Sequence, residues 1–123
     1  VGEFGGHGCV AAIATALQAV CLRRGVTPTM PWHYSTVDEF SSVLTRHGFR
    51  PVTVQLVPRS TPLPSGMTAW LRTFAGPVFA ALPEAERDPA LAEAVELLRF
   101  SLCDEQGRWT ADYTRLRFAA VAE

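Results

Sequence analysis

The stretch Val1-Gly2-Glu3-Phe4-Gly5-Gly6-His7-Gly8-Cys9-Val10-Ala11 decides how this chain is read. Its first four residues suit the end of a strand, and Gly5-Gly6-His7-Gly8 is a flexible turn after it. From Cys9 to Arg24 the apolar residues Val10, Ile13, Leu17 and Val20 recur at three- and four-residue steps, which predicts a helix. Arg23 and Arg24 suit the negative end of that helix, and Gly25 is placed to stop it. A strand, a glycine turn and a helix in succession point to an α/β fold.

Working outward, Thr27-Pro28-Thr29-Met30-Pro31 reads as a loop because its two prolines lack amide donors. Thr36-x-x-Glu39 forms a capping box, so a second helix starts there and runs to Gly48, burying Val37, Phe40, Val43 and Leu44. Arg50 to Val57 alternates as a strand. Three prolines between Pro58 and Pro64 predict a loop. Gly66 to Phe74 and Pro77 to Leu82 read as short helices, and Glu84 to Leu102 as a longer one with a Leu91, Val95, Leu98 and Leu102 stripe. Asp104 to Gly107 is a turn. Tyr113 to Val121 closes the chain as a strand, antiparallel to its predecessor, with Arg115 and Arg117 on its solvent face.

With 123 residues and 48% apolar content, the chain suits one small domain at most. A net charge of −1 leaves no polybasic footprint, so neither nucleic acid nor an anionic membrane is an expected partner. Cys9, Cys21 and Cys103 are odd in number and widely spaced, which fits free thiols in a reducing cytoplasm. No zinc-ligand spacing involves His7, His33 or His47. The apolar run from Cys9 to Leu22 is too short to span a bilayer.

Gly6-His7-Gly8-Cys9-Val10-Ala11 matches the G-x-G-x-x-A pattern in which a backbone approaches a pyrophosphate at a helix N-terminus. The full pattern needs an acidic strand end about 20 residues on, and the proline loop around Met30 supplies none. A glycine turn that lets the chain leave a sheet edge explains the same residues. Cys9 as a nucleophile with His7 as base lacks a third, orienting group. Trp32, His33 and Tyr34 place three rings before a helix cap, where they line a ligand pocket or staple the helix entry. Arg59, past a strand end, is shaped to hold a carboxylate in a fork.

Taken together, Glu3-Phe4-Gly5-Gly6-His7-Gly8, Pro31-Trp32-His33-Tyr34-Ser35-Thr36-Val37-Asp38-Glu39-Phe40 and Gly48-Phe49 resemble the C-terminal half of class I S-adenosylmethionine-dependent methyltransferases. The resemblance is to the small-molecule group that includes trans-aconitate methyltransferase. It continues through Pro58-Arg59-Ser60-Thr61-Pro62-Leu63, Trp70-Leu71-Arg72-Thr73-Phe74 and Trp109-Thr110-Ala111-Asp112-Tyr113, and so covers essentially the whole chain.

The resemblance implies the C-terminal part of a Rossmann-like sheet. Val1 to Phe4 would be the end of strand five, the Arg50 strand would be strand six, and the Tyr113 strand would be an antiparallel strand seven between them. Residues 60–103 would form a helical cap over the substrate, within a single domain portion spanning residues 1–123. The family's cofactor-binding glycine loop and ribose-binding acid have no counterpart here, and the chain opens on Val1, not Met. The expectation is a substrate-side fragment that contacts a small-molecule methyl acceptor through His7, Trp32, Tyr34 and Arg59. It has no catalytic, cofactor-binding or metal residues of its own, does not bind S-adenosylmethionine alone, and pairs with a missing N-terminal half or dimerises. The rival expectation is a stand-alone, non-catalytic binding module for a small molecule or a protein.

Overall fold

Eight elements follow one another in the computed structural model, which describes all 123 residues. They are β1 (Gly2–Gly5), α1 (Ala11–Leu22), α2 (Val37–Arg46), β2 (Phe49–Leu63), α3 (Gly66–Phe74), α4 (Gly76–Ala80), α5 (Glu84–Leu102) and β3 (Trp109–Ala122). The strands form one three-stranded sheet in the order β1-β3-β2. β1 runs antiparallel to β3, with Gly2 opposite Phe118, Glu3 opposite Arg117, Phe4 opposite Leu116 and Gly5 opposite Arg115. The end of β3 returns to the start of β2, where the Glu123 N–H donates to the Gly48 carbonyl at 2.9 Å. The fold is therefore mixed α/β.

One expectation fails on β2. The proline-rich segment after Val57 is strand as far as Leu63, not loop. Because β2 has only one neighbour, its amides on the other side have no ladder partner to lose. Pro58 and Pro62 lie four residues apart, so both remove an amide on the same side of an edge strand, the kind of strand in which a sheet tolerates proline. The closing strand also starts earlier than Tyr113, at Trp109.

The chain divides into two units, the first comprising residues 1–9, 33–60 and 113–123. Here α2 covers one face of the sheet. Phe40 of α2 stands edge-on to Phe4 and Phe118, with ring centroids 4.9 and 4.8 Å away. Leu44 and Leu116 complete the buried part. The expected capping box is present: the Glu39 N–H donates to Thr36 Oγ1 and the Thr36 N–H to the Glu39 carboxylate. The other face of the sheet is polar, since Glu3, Arg115 and Arg117 alternate with the covered residues.

The second unit, residues 10–32 and 61–112, is helical. Ile13, Leu17 and Val20 of α1, Met67 and Leu71 of α3, Val78 of α4 and Ala90, Ala94 and Leu98 of α5 are its core. The stripe expected on α5 is corrected at one position. Ala94 is buried and Val95 is only half-buried, because small side chains there let α1 approach closely. Past α1, the Gly25 N–H donates to the Leu22 carbonyl and the Val26 N–H to that of Cys21, with Gly25 at φ 75°. That is a Schellman stop.

Candidate functional site

The residues with chemistry gather on the open polar face of the sheet unit. β1 ends at Gly5, and Gly6 makes a parallel bridge to Ser35 while the His7 N–H donates to the Ser35 carbonyl at 2.9 Å. Those contacts pin the segment carrying Tyr34 beside the end of β1. A Cβ on Gly5 would lie 2.7 Å from the Tyr34 ring, so only glycine admits the phenol there. Gly5 is opposite Arg115, and Arg115 lies over the Tyr113 ring, 5.2 Å from its centroid. Tyr34 shares a hydrogen bond with the Cys9 thiol and lies within electrostatic reach of Tyr113 and Arg115.

Burial, then the neighbouring Cys9 and Tyr113, push the Tyr34 phenol up to about 12, while Arg115 pulls weakly the other way. Tyr34 is consequently a neutral hydrogen-bond donor at any physiological pH. A neutral donor beside a cation can receive an anionic or strongly polar oxygen.

Arg59 is on the same face, but its guanidinium is 3.3 Å from Glu3 Oε1, and Arg117 is 3.4 Å from Glu3 Oε2. One carboxylate thus draws in two exposed guanidiniums. His7 is exposed on the glycine turn. Trp32 belongs to the helical unit, where its ring is 5.8 Å from Trp70, itself 5.1 Å from Phe74. Trp70 and Phe74 border a depression of about 250 Å³ that also includes Leu63, Pro64 and Ala69. The sheet unit therefore brings Tyr34, His7 and Arg59 onto one body, and Trp32 lies in the other.

Tyr113 and Arg115 were not singled out by sequence as site residues. The available signal was Gly5: a glycine inside a strand marks a close approach, here by Tyr34.

The glycine turn does not suit a nucleotide or a cofactor's anionic groups. Most of its amides are already taken: Gly6 by the Thr114 carbonyl, His7 by Ser35, Cys9 by Gly6 and Val10 by Asp112. The Asp112 carboxylate then accepts the Ala12 N–H at 2.8 Å, placing a negative charge where an anion would sit. Cys9 is 6% exposed and hydrogen-bonded to Tyr34, which does not suit a nucleophile. No group of three or more His, Cys, Asp or Glu side chains is placed to hold a metal ion, and no helix is long and apolar enough to cross a membrane.

No family model matches the chain. It is 29% identical over 128 residues to the uncharacterized methyltransferase C70.08c of Schizosaccharomyces pombe. That match covers 100% of this chain and 49% of the relative, so the chain spans about half the length of the curated protein it matches. The whole of this chain is thus related to part of a methyltransferase.

Proposed function

We propose that the chain is the substrate-side part of an S-adenosylmethionine-dependent methyltransferase that acts on a small molecule, with a carboxylic acid as the preferred acceptor class. The observation that carries this reading is the Tyr34, Tyr113 and Arg115 cluster on the open sheet face of a chain related throughout to a methyltransferase. The sheet order supports the Rossmann-like assignment, because an antiparallel β3 lies between β1 and β2. β1, paired on one side only, supplies an edge to which the rest of such a sheet would add a strand. Within the sheet unit, Tyr34 donates to the acceptor in place of Cys9, His7 flanks it from the turn and Arg59 contributes charge. The cofactor supplies an electrophilic methyl group and sits on the remaining half of the enzyme, since most amides of the glycine turn here are already bonded. Such an enzyme works in the cytoplasm.

The test is methyl transfer from S-adenosylmethionine to a panel of small carboxylic acids. It is run with this chain alone and with a polypeptide matching the remaining half of the relative. Product only in the second case is expected. Product in neither overturns the reading, and micromolar binding of the cofactor to this chain alone overturns its division of labour.

A second reading, a non-catalytic binding module, is favoured by one observation. α2 already covers the apolar sheet face and the other face is polar, so the sheet unit needs no partner to hide an apolar face. A monodisperse monomer that unfolds sharply, and yields no product with the added half, supports the module.

A further inference from the structure

The three arginines on the open sheet face are not equivalent. Arg59 and Arg117 have half-exposed side chains, and each lies beside an oxygen of Glu3. Arg115 is half-buried, has no carboxylate partner, and lies over the Tyr113 ring. A partly desolvated cation with no counter-ion is unfavourable unless something else neutralises it. Stacking on an aromatic face helps, and it also leaves the edge of the guanidinium open. That edge carries the N–H fork that matches a carboxylate.

We propose that Arg115 is the specificity-determining anchor of the site, holding a carboxylate of the ligand in its fork while the Tyr34 hydroxyl exchanges its Cys9 hydrogen bond for one to the same carboxylate. The assignment rests on the acceptor site proposed above but gives it a different cation from Arg59. Tyr113 is a positioning residue, setting the plane of the guanidinium. Gly5, opposite Arg115, leaves the space in which the Tyr34 ring comes up beside it. The charge match favours a carboxylate over phosphate. One guanidinium and a neutral phenol balance a single negative charge, whereas a phosphate dianion would leave one charge uncompensated in a half-buried setting.

The experiment is NMR titration of the intact chain, without cofactor, using acetate, benzoate and succinate. Benzamide serves as the uncharged analogue of benzoate and inorganic phosphate as the competing anion. At least one carboxylate should shift the Arg115 Nε–H and the Tyr34 amide saturably, with benzamide and phosphate at least tenfold weaker. Arg115→Lys keeps the charge and loses the fork, so affinity should fall about 10- to 100-fold. Tyr34→Phe should weaken binding less, and Arg117→Gln should leave it unchanged. An unaltered amide spectrum in Arg115→Lys checks that the variant is folded.

The assignment is overturned if no carboxylate binds, if benzamide or phosphate binds as well, or if Arg115→Lys binds like the parent chain. Binding is read without methyl transfer. A chain that binds carboxylates at Arg115 but supports no transfer therefore refutes the enzyme and keeps the anchor, and the converse result refutes the anchor alone.

Discussion

The Asp112 carboxylate accepts a hydrogen bond from the Ala12 backbone N–H at 2.8 Å, although the two residues are one hundred positions apart. Helix α1 begins after Val10, whose side chain cannot cap it, and the Val10 N–H donates to the Asp112 carbonyl at 3.0 Å. One residue of β3 therefore does for α1 what a local Ser or Asp usually does. Asp112→Ala should cost about 1–2 kcal/mol of stability, the range for a lost N-cap, read as a lower urea midpoint at unchanged m-value.

Val10 itself has φ 51° and ψ 33°, a left-handed conformation that a β-branched residue adopts only under constraint. It is also 1% exposed, so its side chain adds packing. Glycine there loses the packing but relieves the backbone. At Val20, 0% exposed within α1, glycine loses packing and helix propensity together. Val20→Gly should cost about 3 kcal/mol or more and Val10→Gly clearly less, compared in parallel denaturation curves.

Tyr34 makes stability depend on alkaline pH. Its folded value of about 12 lies above the ordinary phenol value of 10.0, so the folded state keeps a proton that the unfolded chain releases. The contribution is fully present below the unfolded value and is lost as pH rises from there towards the folded one. Tyr34→Phe should flatten that fall relative to the parent chain. Phenolate absorbance should show one of the two tyrosines ionising only in the upper part of this window.

Between α1 and α5, Glu93 meets Arg23 at 2.7 Å and Arg24 at 3.1 Å, but the two arginines differ in exposure at 66% and 16% of the side chain. Arg24 also donates to the Val20 carbonyl at 2.9 Å, near the end of α1. Arg23→Ala should change stability by well under about 1 kcal/mol, as exposed pairs do. Arg24→Ala should cost more, about 1–2 kcal/mol, because it leaves a partly buried carboxylate and a helix-end carbonyl short of a partner. Thermal melts at low and high salt separate the two.

The capping box of α2 gives an acid-side counterpart. Backbone hydrogen bonding at Thr36, with help from His33, holds the Glu39 carboxyl below its ordinary value. Its contribution is present above the unfolded glutamate value and is lost as pH falls through the lowered folded value. Thr36→Ala should cost about 1 kcal/mol near neutrality, and the loss should show in helix content by circular dichroism.

Local features were legible because local chemistry sets them. The Thr36-x-x-Glu39 box, the Gly25 stop and the α1 stripe each lie within a few residues of sequence, and each is found. The Pro58 to Leu63 segment looks like a loop in sequence because proline reports the loss of an amide, not whether that amide had a partner. Only the place of β2 at the sheet edge decides that. Ala94 replaced Val95 in the core for a similar reason, since periodicity locates a helix face without saying how close its neighbour comes.

The candidate site divides the same way. By itself the sequence marked Tyr34, Trp32, His7 and Arg59 as ring- or charge-bearing residues on loops and strand ends, and it located the glycine turn beside them. Tertiary structure decided which of them share a body and which cation is open. Glu3 reaches Arg59 and Arg117 because register sets it opposite Arg117, and Gly5 opposite Arg115 leaves room for the Tyr34 ring. Pairing across strands brings together residues more than a hundred positions apart, and no periodicity within one segment records that pairing.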